Sequence, residues 1–265
     1  MATNPNVKET LEAYLKELHL PAFRQGYEEL ARQAQQEGLS YERYLLGLAE
    51  RECQERRQNR IERLLRESRL PLEKSWPALD LKRFPPKVLQ QARSLLEGSF
   101  VDRCENVLAF GAPGSGKTHL LCAIAQELVR SGHKVLFTTC SLLVQDLLVA
   151  KRDLKLSRLL KRLAGHGVLL LDDLGYVQQS REEMEVLFTL LAERYERGSV
   201  LLTSNLPFSG WEAIFRDPMT TAAAIDRLVH HAVIIELNLP SYRMEQAKKA
   251  KQGRAAAPPE GPPPG

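Results

Sequence analysis

Residues 107–129 read VLAFGAPGSGKTHLLCAIAQELV, and this stretch decides the fold. Within it, Gly111-Ala112-Pro113-Gly114-Ser115-Gly116-Lys117-Thr118 is a complete G-x-x-x-x-G-K-[ST] phosphate-binding loop. Its glycines permit backbone conformations that a side chain forbids, so successive N–H groups turn inward on a triphosphate. Lys117 brings a mobile positive charge to the β- and γ-phosphates, and the Thr118 hydroxyl is placed to ligate Mg²⁺. Val107–Phe110 reads as a buried strand, and the run from His119 to Val129 as a helix whose N-terminal dipole faces the phosphates. ATP and Mg²⁺ are the expected cofactors, with residues 111–119 as the nucleotide cradle. A Gly-rich turn of purely structural use is the alternative, and the flanking strand and helix argue against it.

Working outward, apolar runs at Val107–Phe110, Val135–Thr139, Val168–Leu171, Val200–Thr203 and Val233–Glu236 alternate with helical segments. That alternation predicts an α/β domain with a parallel sheet. Capping boxes mark two helix starts, Ser180-Arg-Glu-Glu183 and Ser209-Gly-Trp-Glu212. The third run ends in Asp172-Asp173, at the strand edge where a phosphate loop gathers its metal and attacking water. Asp172 is assigned to the metal shell, through water, and Asp173 to positioning or deprotonating the hydrolytic water. Solvated acids closing a strand are the other reading. Asn205, after the fourth run, is placed to hold water or the γ-phosphate, although Asn at a strand end is often a turn residue.

The 265 residues carry 37 Lys and Arg against 33 Asp and Glu, a net charge of +4 that permits an acidic partner without demanding one. Cys53, Cys104, Cys122 and Cys140 form no C-x-x-C pair, so neither a zinc site nor a disulfide framework is indicated, and free thiols in a reducing compartment are expected. No run approaches the roughly 20 apolar residues that span a bilayer, and the first residues lack a signal-peptide core, so a cytoplasmic protein is expected.

Three modules follow from the pattern. Residues 1–75 carry helical periodicity (Leu11, Leu15, Leu18; Tyr41, Leu45, Leu48; Ile61, Leu64, Leu65) and form a helical module. Its stretch from Arg51 to Arg69 holds seven Arg and four Glu, most simply a solvated face. Prolines 71, 77, 85 and 86 end it, and residues 76–252 form the α/β core. Residues 253–265, rich in Pro, Gly and Ala, cannot bury enough apolar surface to order.

Between the second and third runs, residues 147–163 read LLVAKRDLKLSRLLKRL, with Lys151, Arg152, Lys155, Arg158, Lys161 and Arg162 against the single acid Asp153. Read as one helix, Lys151, Lys155, Arg158 and Arg162 form a stripe that would neutralise DNA phosphates without reading sequence. A solvated amphipathic helix is the alternative. No aromatic residues are interleaved, so stacking on single strands is not indicated.

GAPGSGKTHL (111–120), LLLDDLGY (169–176), TSNLPFSGW (203–211), the segment from Ala224 to His231 and Ser241-Tyr-Arg243 together resemble the IstB family of insertion-sequence transposition helpers. These are relatives of the DnaC-type helicase loaders within the AAA+ ATPases. The resemblance implies an AAA+ P-loop core with five parallel strands in the order 5-1-4-3-2, and it makes Asn205 the sensor on the fourth strand. Arg227 becomes an arginine finger acting on the nucleotide of a neighbouring copy, and Arg243 a second sensor. It further implies an ATPase that forms homo-oligomers on DNA. The N-terminal module would recruit a transposase or, in the loader reading, a replicative helicase. Two other classes stay open on the residues alone: a P-loop small-molecule kinase and a nucleotide-gated scaffold that does not hydrolyse ATP.

Overall fold

The computed structural model describes residues 5–175, 180–211, 218–242 and 244–245. The chain divides into two compact units, Met1–Arg63 and Leu64–Gly265.

The first unit comprises α1 (Pro5–Glu17), α2 (Pro21–Glu37) and most of α3 (Tyr41–Ser68). The buried Glu52 accepts the Ala22 N–H at 2.9 Å and pairs with Arg56 at 2.7 Å. Its carboxylate thereby satisfies the start of α2, where free N–H groups and the helix dipole favour negative charge. Leu15, Ala22, Gly26, Leu30, Ala34 and Leu48 are the buried line. The apolar faces expected from periodicity are buried only in part: Leu15 and Leu48 go inside, while Leu11, Leu18, Leu45 and Tyr41 (91 % exposed) face outward. Three small residues on α2 make a narrow seam, which holds fewer large side chains than the pattern offers.

The second unit is an α/β domain. Its elements after the end of α3 are α4 (Pro86–Leu96), α5 (Ser99–Asp102), β1 (Asn106–Gly111), α6 (Lys117–Arg130), β2 (Val135–Thr139), α7 (Cys140–Arg152), α8 (Leu156–Ala164) and β3 (Val168–Leu174). There follow α9 (Arg181–Arg194), β4 (Ser199–Ser204), α10 (Pro218–Val229) and β5 (Ala232–Leu237). The five strands are all parallel in the order β2-β3-β4-β1-β5, which from the other edge is the 5-1-4-3-2 arrangement expected. Strand alternation sorts the core into two layers. Val107, Ala109, Val168, Leu170 and Leu201 pack against α4, α5 and α6, whereas Leu108, Phe110, Leu169, Leu171 and Leu202 pack against α7, α9, α10 and Trp211. Cover on both faces explains why these strands read as continuous apolar runs.

The Ser180 capping box forms as expected: its hydroxyl accepts the Glu183 N–H at 3.3 Å and the Glu183 carboxylate accepts the Ser180 N–H at 2.5 Å. In the second box, Glu212 lies outside the described residues, and Phe208–Gly210 form a 3-10 turn.

The basic window is not one helix, and this corrects the expected stripe. α7 ends at Arg152, and Leu154 takes a left-handed conformation (φ 57°). Lys155 N–H donates to Ala150 O at 2.7 Å and Leu154 N–H to Lys151 O at 3.1 Å, the two bonds that close a Schellman motif. Glycine normally occupies that left-handed position. Here a leucine that is 95 % exposed holds it, so no glycine marks the break.

Candidate functional site

The phosphate loop leaves the C-terminal end of β1 and enters α6. Gly111 (φ 150°) lies so close to the Leu237 carbonyl of β5 that a Cβ there would collide with it, and Gly114 (φ 80°) abuts Ser241 in the same way. Both positions favour glycine by backbone conformation, and Gly111 requires it for space as well, because its neighbour is backbone rather than a side chain. Lys117 opens α6, and its buried ammonium donates to Gly111 O at 2.7 Å and Ala112 O at 3.0 Å. Ser115, within the loop, is buried, with no hydrogen-bond partner for its hydroxyl among the described residues.

Across the loop, the Asp172 carboxylate receives two hydroxyl protons on Oδ1, from Thr118 at 2.7 Å and from Thr203 at 2.6 Å. Asp172 is buried and Asp173 is exposed, yet both line one cavity of about 380 Å³. Pro113, Gly114, Gly116, Lys117, Thr118, His119 and Asn205 line it too. The Asn205 side-chain oxygen is buried without a hydrogen-bond partner among the described residues, which makes it an available acceptor at the cavity wall. His119 donates from Nε2 to Ser75 O at 3.3 Å, and burial pushes its pKa down, which favours the neutral ring.

Part of the lining is one that sequence reasoning missed: Lys74, Leu79, Asp80, Arg83 and Phe84, together with Tyr242. Phe84 stands next to Gly116. Arg83 gathers the segment after β5, donating to Pro240 O at 2.9 Å, pairing with Glu245 at 3.2 Å and lying 4.8 Å from the Tyr242 ring centroid. Tyr242 N–H in turn donates to Gly114 O at 3.0 Å. Phe84-Pro85-Pro86 signalled only a chain break, and no local pattern marks residues 74–84 as a wall of the site. Arg243 lies outside the described residues.

Two groups of predicted residues are not in this cavity. Arg227 sits on α10 with its guanidinium 4.5 Å from the Phe188 ring centroid. The six cations are all exposed: Lys151 and Arg152 end α7, Lys155 lies in the break, and Arg158, Lys161 and Arg162 belong to α8. Lys151 pairs with Glu185 at 3.0 Å, and Lys155 and Arg152 reach Asp153 at 3.6 and 3.9 Å. Arg158, Lys161 and Arg162 make no ion pair among the described residues. No described helix is long and apolar enough to cross a membrane.

Comparison with known proteins agrees with the loop and the sheet. An insertion-sequence ATP-binding protein of Sinorhizobium fredii (y4iQ/y4nD/y4sD) is 43 % identical over 246 residues, covering 92 % of this chain and 83 % of the relative. The insertion sequence IS21 ATP-binding protein of Pseudomonas aeruginosa is 37 % identical over 240 residues, covering 91 % of each. Among solved structures, DnaI superposes with a TM-score of 0.54 at 25 % identity, over 64 % of this chain and 95 % of that one. DnaA of Aquifex aeolicus shares the fold, with a TM-score of 0.55 at 15 % identity, over 72 % of this chain and 58 % of that one. The core is thus an AAA+ P-loop domain. The model of the IstB-like ATP binding proteins matches residues 13–250, nearly the whole chain, and this protein belongs to that family.

Proposed function

We propose that this chain is an ATP-hydrolysing helper that assembles on DNA and recruits or activates a transposase. The observation that carries the reading is the convergence of the phosphate loop, the Thr118–Asp172 hydrogen bond, Asp173 and the unsatisfied Asn205 oxygen on one cavity. The insertion-sequence names of its relatives support the choice of partner.

Each residue then has a task. Loop N–H groups and Lys117 hold the triphosphate, the ammonium exchanging its carbonyl acceptors for phosphate oxygens. Thr118 and Asp172 fit Mg²⁺ as hard oxygen donors: the threonine donates its proton to Asp172 and keeps its lone pairs for a metal, and the carboxylate acts through water. Bound there, the ion would neutralise charge on the phosphate oxygens. Asp173 positions or deprotonates the attacking water, and Asn205 holds that water or the γ-phosphate. Arg227 of one copy reaches the γ-phosphate held by the next, which ties ATP to assembly. Lys155, Arg158, Lys161 and Arg162 contact the DNA backbone, with Lys151 and Arg152 beside them. Residues 1–75 recruit the partner protein and 76–252 form the ATPase core; the Pro-rich residues 253–265 lie outside the described residues.

A second reading, a replicative helicase loader, is favoured by the likeness to DnaI. The test of the first is negative-stain imaging with duplex DNA, magnesium and a non-hydrolysable ATP analogue. Wild-type protein should form multi-subunit particles, and Lys117→Ala should not. A wild-type protein that stays monomeric overturns the reading. A pull-down with the full chain, offered transposase and helicase together, separates the two partners.

A further inference from the structure

Thr203 lies near the end of β4 and is fully buried. Its hydroxyl is used in both directions: it donates to Asp172 Oδ1 at 2.6 Å and accepts the Asp173 N–H at 2.8 Å. The strand register shows why. Leu171 pairs with Leu202 and Leu174 with Ser204, so β3 carries one residue more than β4 over this step. Asp172 and Asp173 together oppose Thr203, the two-against-one arrangement of a β-bulge. Asp173 takes the left-handed conformation (φ 60°), uncommon for a residue with a side chain.

The bulge has a chemical consequence. In a regular strand, consecutive side chains point to opposite faces of the sheet, so neighbouring acids could not serve one site. Here both line the same cavity. The backbone N–H that the bulge removes from the ladder is taken by the Thr203 hydroxyl, whose proton locks Oδ1 of the neighbouring acid. With Thr118 also donating to Oδ1, two hydroxyl protons occupy that oxygen, and Oδ2 is left for a metal-bound water.

We infer that Thr203 is the positioning residue of the acidic pair: through one hydroxyl it orients Asp172 toward the metal and holds the bulge that turns Asp173 into the cavity. This rests on the ATPase reading above. A residue that orients a metal-binding carboxylate typically changes metal affinity or activity by 10- to 100-fold when removed.

The test compares Thr203→Val, which keeps the shape and removes the hydroxyl, with Thr203→Ser, which restores it. Steady-state ATP turnover is measured beside a Mn²⁺ titration by electron paramagnetic resonance with a non-hydrolysable analogue bound. Thr203→Val should lower kcat and weaken Mn²⁺ binding, each by about 10- to 100-fold, with metal-free nucleotide affinity unchanged. Thr203→Ser should recover both. Should the valine variant fail to fold, Thr203→Ala is compared with Thr203→Ser, a pair that differs by the hydroxyl alone. Wild-type Mn²⁺ affinity and kcat in Thr203→Val, or equal impairment in Thr203→Ser, overturns the inference. A wild-type protein without turnover defeats the ATPase reading instead, and the Mn²⁺ titration then still decides the role of Thr203.

Discussion

The Arg227 guanidinium stacks on the Phe188 ring at 4.5 Å, joining α10 to α9. One of its terminal nitrogens, Nη1, is buried with no hydrogen-bond partner among the described residues. A buried donor left unpaired is costly, so little holds this arrangement against rotation, and the side chain has to swing off the Phe188 ring before it can meet an acceptor on a neighbouring copy. Until then, stacking engages the side chain without drawing on its in-plane N–H groups. Arg227→Ala should therefore keep nucleotide affinity while losing turnover by roughly 10³-fold or more, the scale of arginine fingers in analogous enzymes. Mixing Arg227→Ala with Lys117→Ala should restore part of the activity, because a mixed boundary contains one intact Lys117 and one intact Arg227. No recovery over a range of mixing ratios would exclude a shared site.

Arg194 should dominate the stability of the sheet at the N-terminal ends of β3 and β4, away from the phosphate loop. It is buried, and its guanidinium donates to four backbone carbonyls, Leu163, His166, Gly167 and Ser199, at 3.0–3.2 Å. Burial pushes its pKa down to about 10, so the group remains charged at pH 7. Arg194→Met leaves those carbonyls without their donor and should cost about 3 kcal/mol or more. A thermal melt should show Tm lowered by roughly 6–12 °C, and an unchanged Tm would refute this role.

Salt dependence separates the basic residues that the helix break divides. Arg158 and Arg162 lie one turn apart on α8 and make no ion pair among the described residues, whereas Lys151 is paired with Glu185. Reversing both arginines to Glu should flatten the slope of log K against log salt by about 0.9 for each DNA phosphate that the protein no longer neutralises. Lys151→Glu should change it less. Fluorescence anisotropy on duplex DNA reads both, and a slope unchanged in the double variant would move the DNA-binding surface elsewhere.

Thiol labelling should distinguish the cysteines. Burial pushes the Cys122 thiol up to about 12, while Cys53 is exposed. At pH 8 a disulfide reagent should modify Cys53 readily and Cys122 only after unfolding, because the thiolate is the reacting form. Rapid labelling of Cys122 in the folded protein would show that the core around α6 opens.

Much of the core was legible because its signals are local. The strand leading to Phe110, the turn through Gly116 and the helix from Lys117 each follow from the chemistry of a few adjacent residues, and the alternation of apolar runs carried the sheet. The resemblance supplied the strand order, which periodicity alone does not reach. Local signals failed where a residue was out of character: Leu154 takes a glycine's conformation, so the break between α7 and α8 was read through. The N-terminal faces failed for another reason, since Leu11 and Tyr41 have helical spacing yet stay exposed among the described residues.

By itself the sequence determined that a triphosphate loop sits between a buried strand and a helix, with two acids and an asparagine at the ends of successive strands. Glycine geometry, lysine charge and apolar periodicity are properties of short segments, and they survive without knowledge of distant contacts. Only the tertiary structure decided that residues 74–84 and Tyr242 wall the cavity, that Arg227 stacks on Phe188, and that Thr203 opposes both acids across a bulge. Those relations depend on strand register and on closures spanning from about thirty to more than a hundred and fifty residues, as between Asp173 and Thr203 or Arg83 and Pro240, which packing of the whole domain sets.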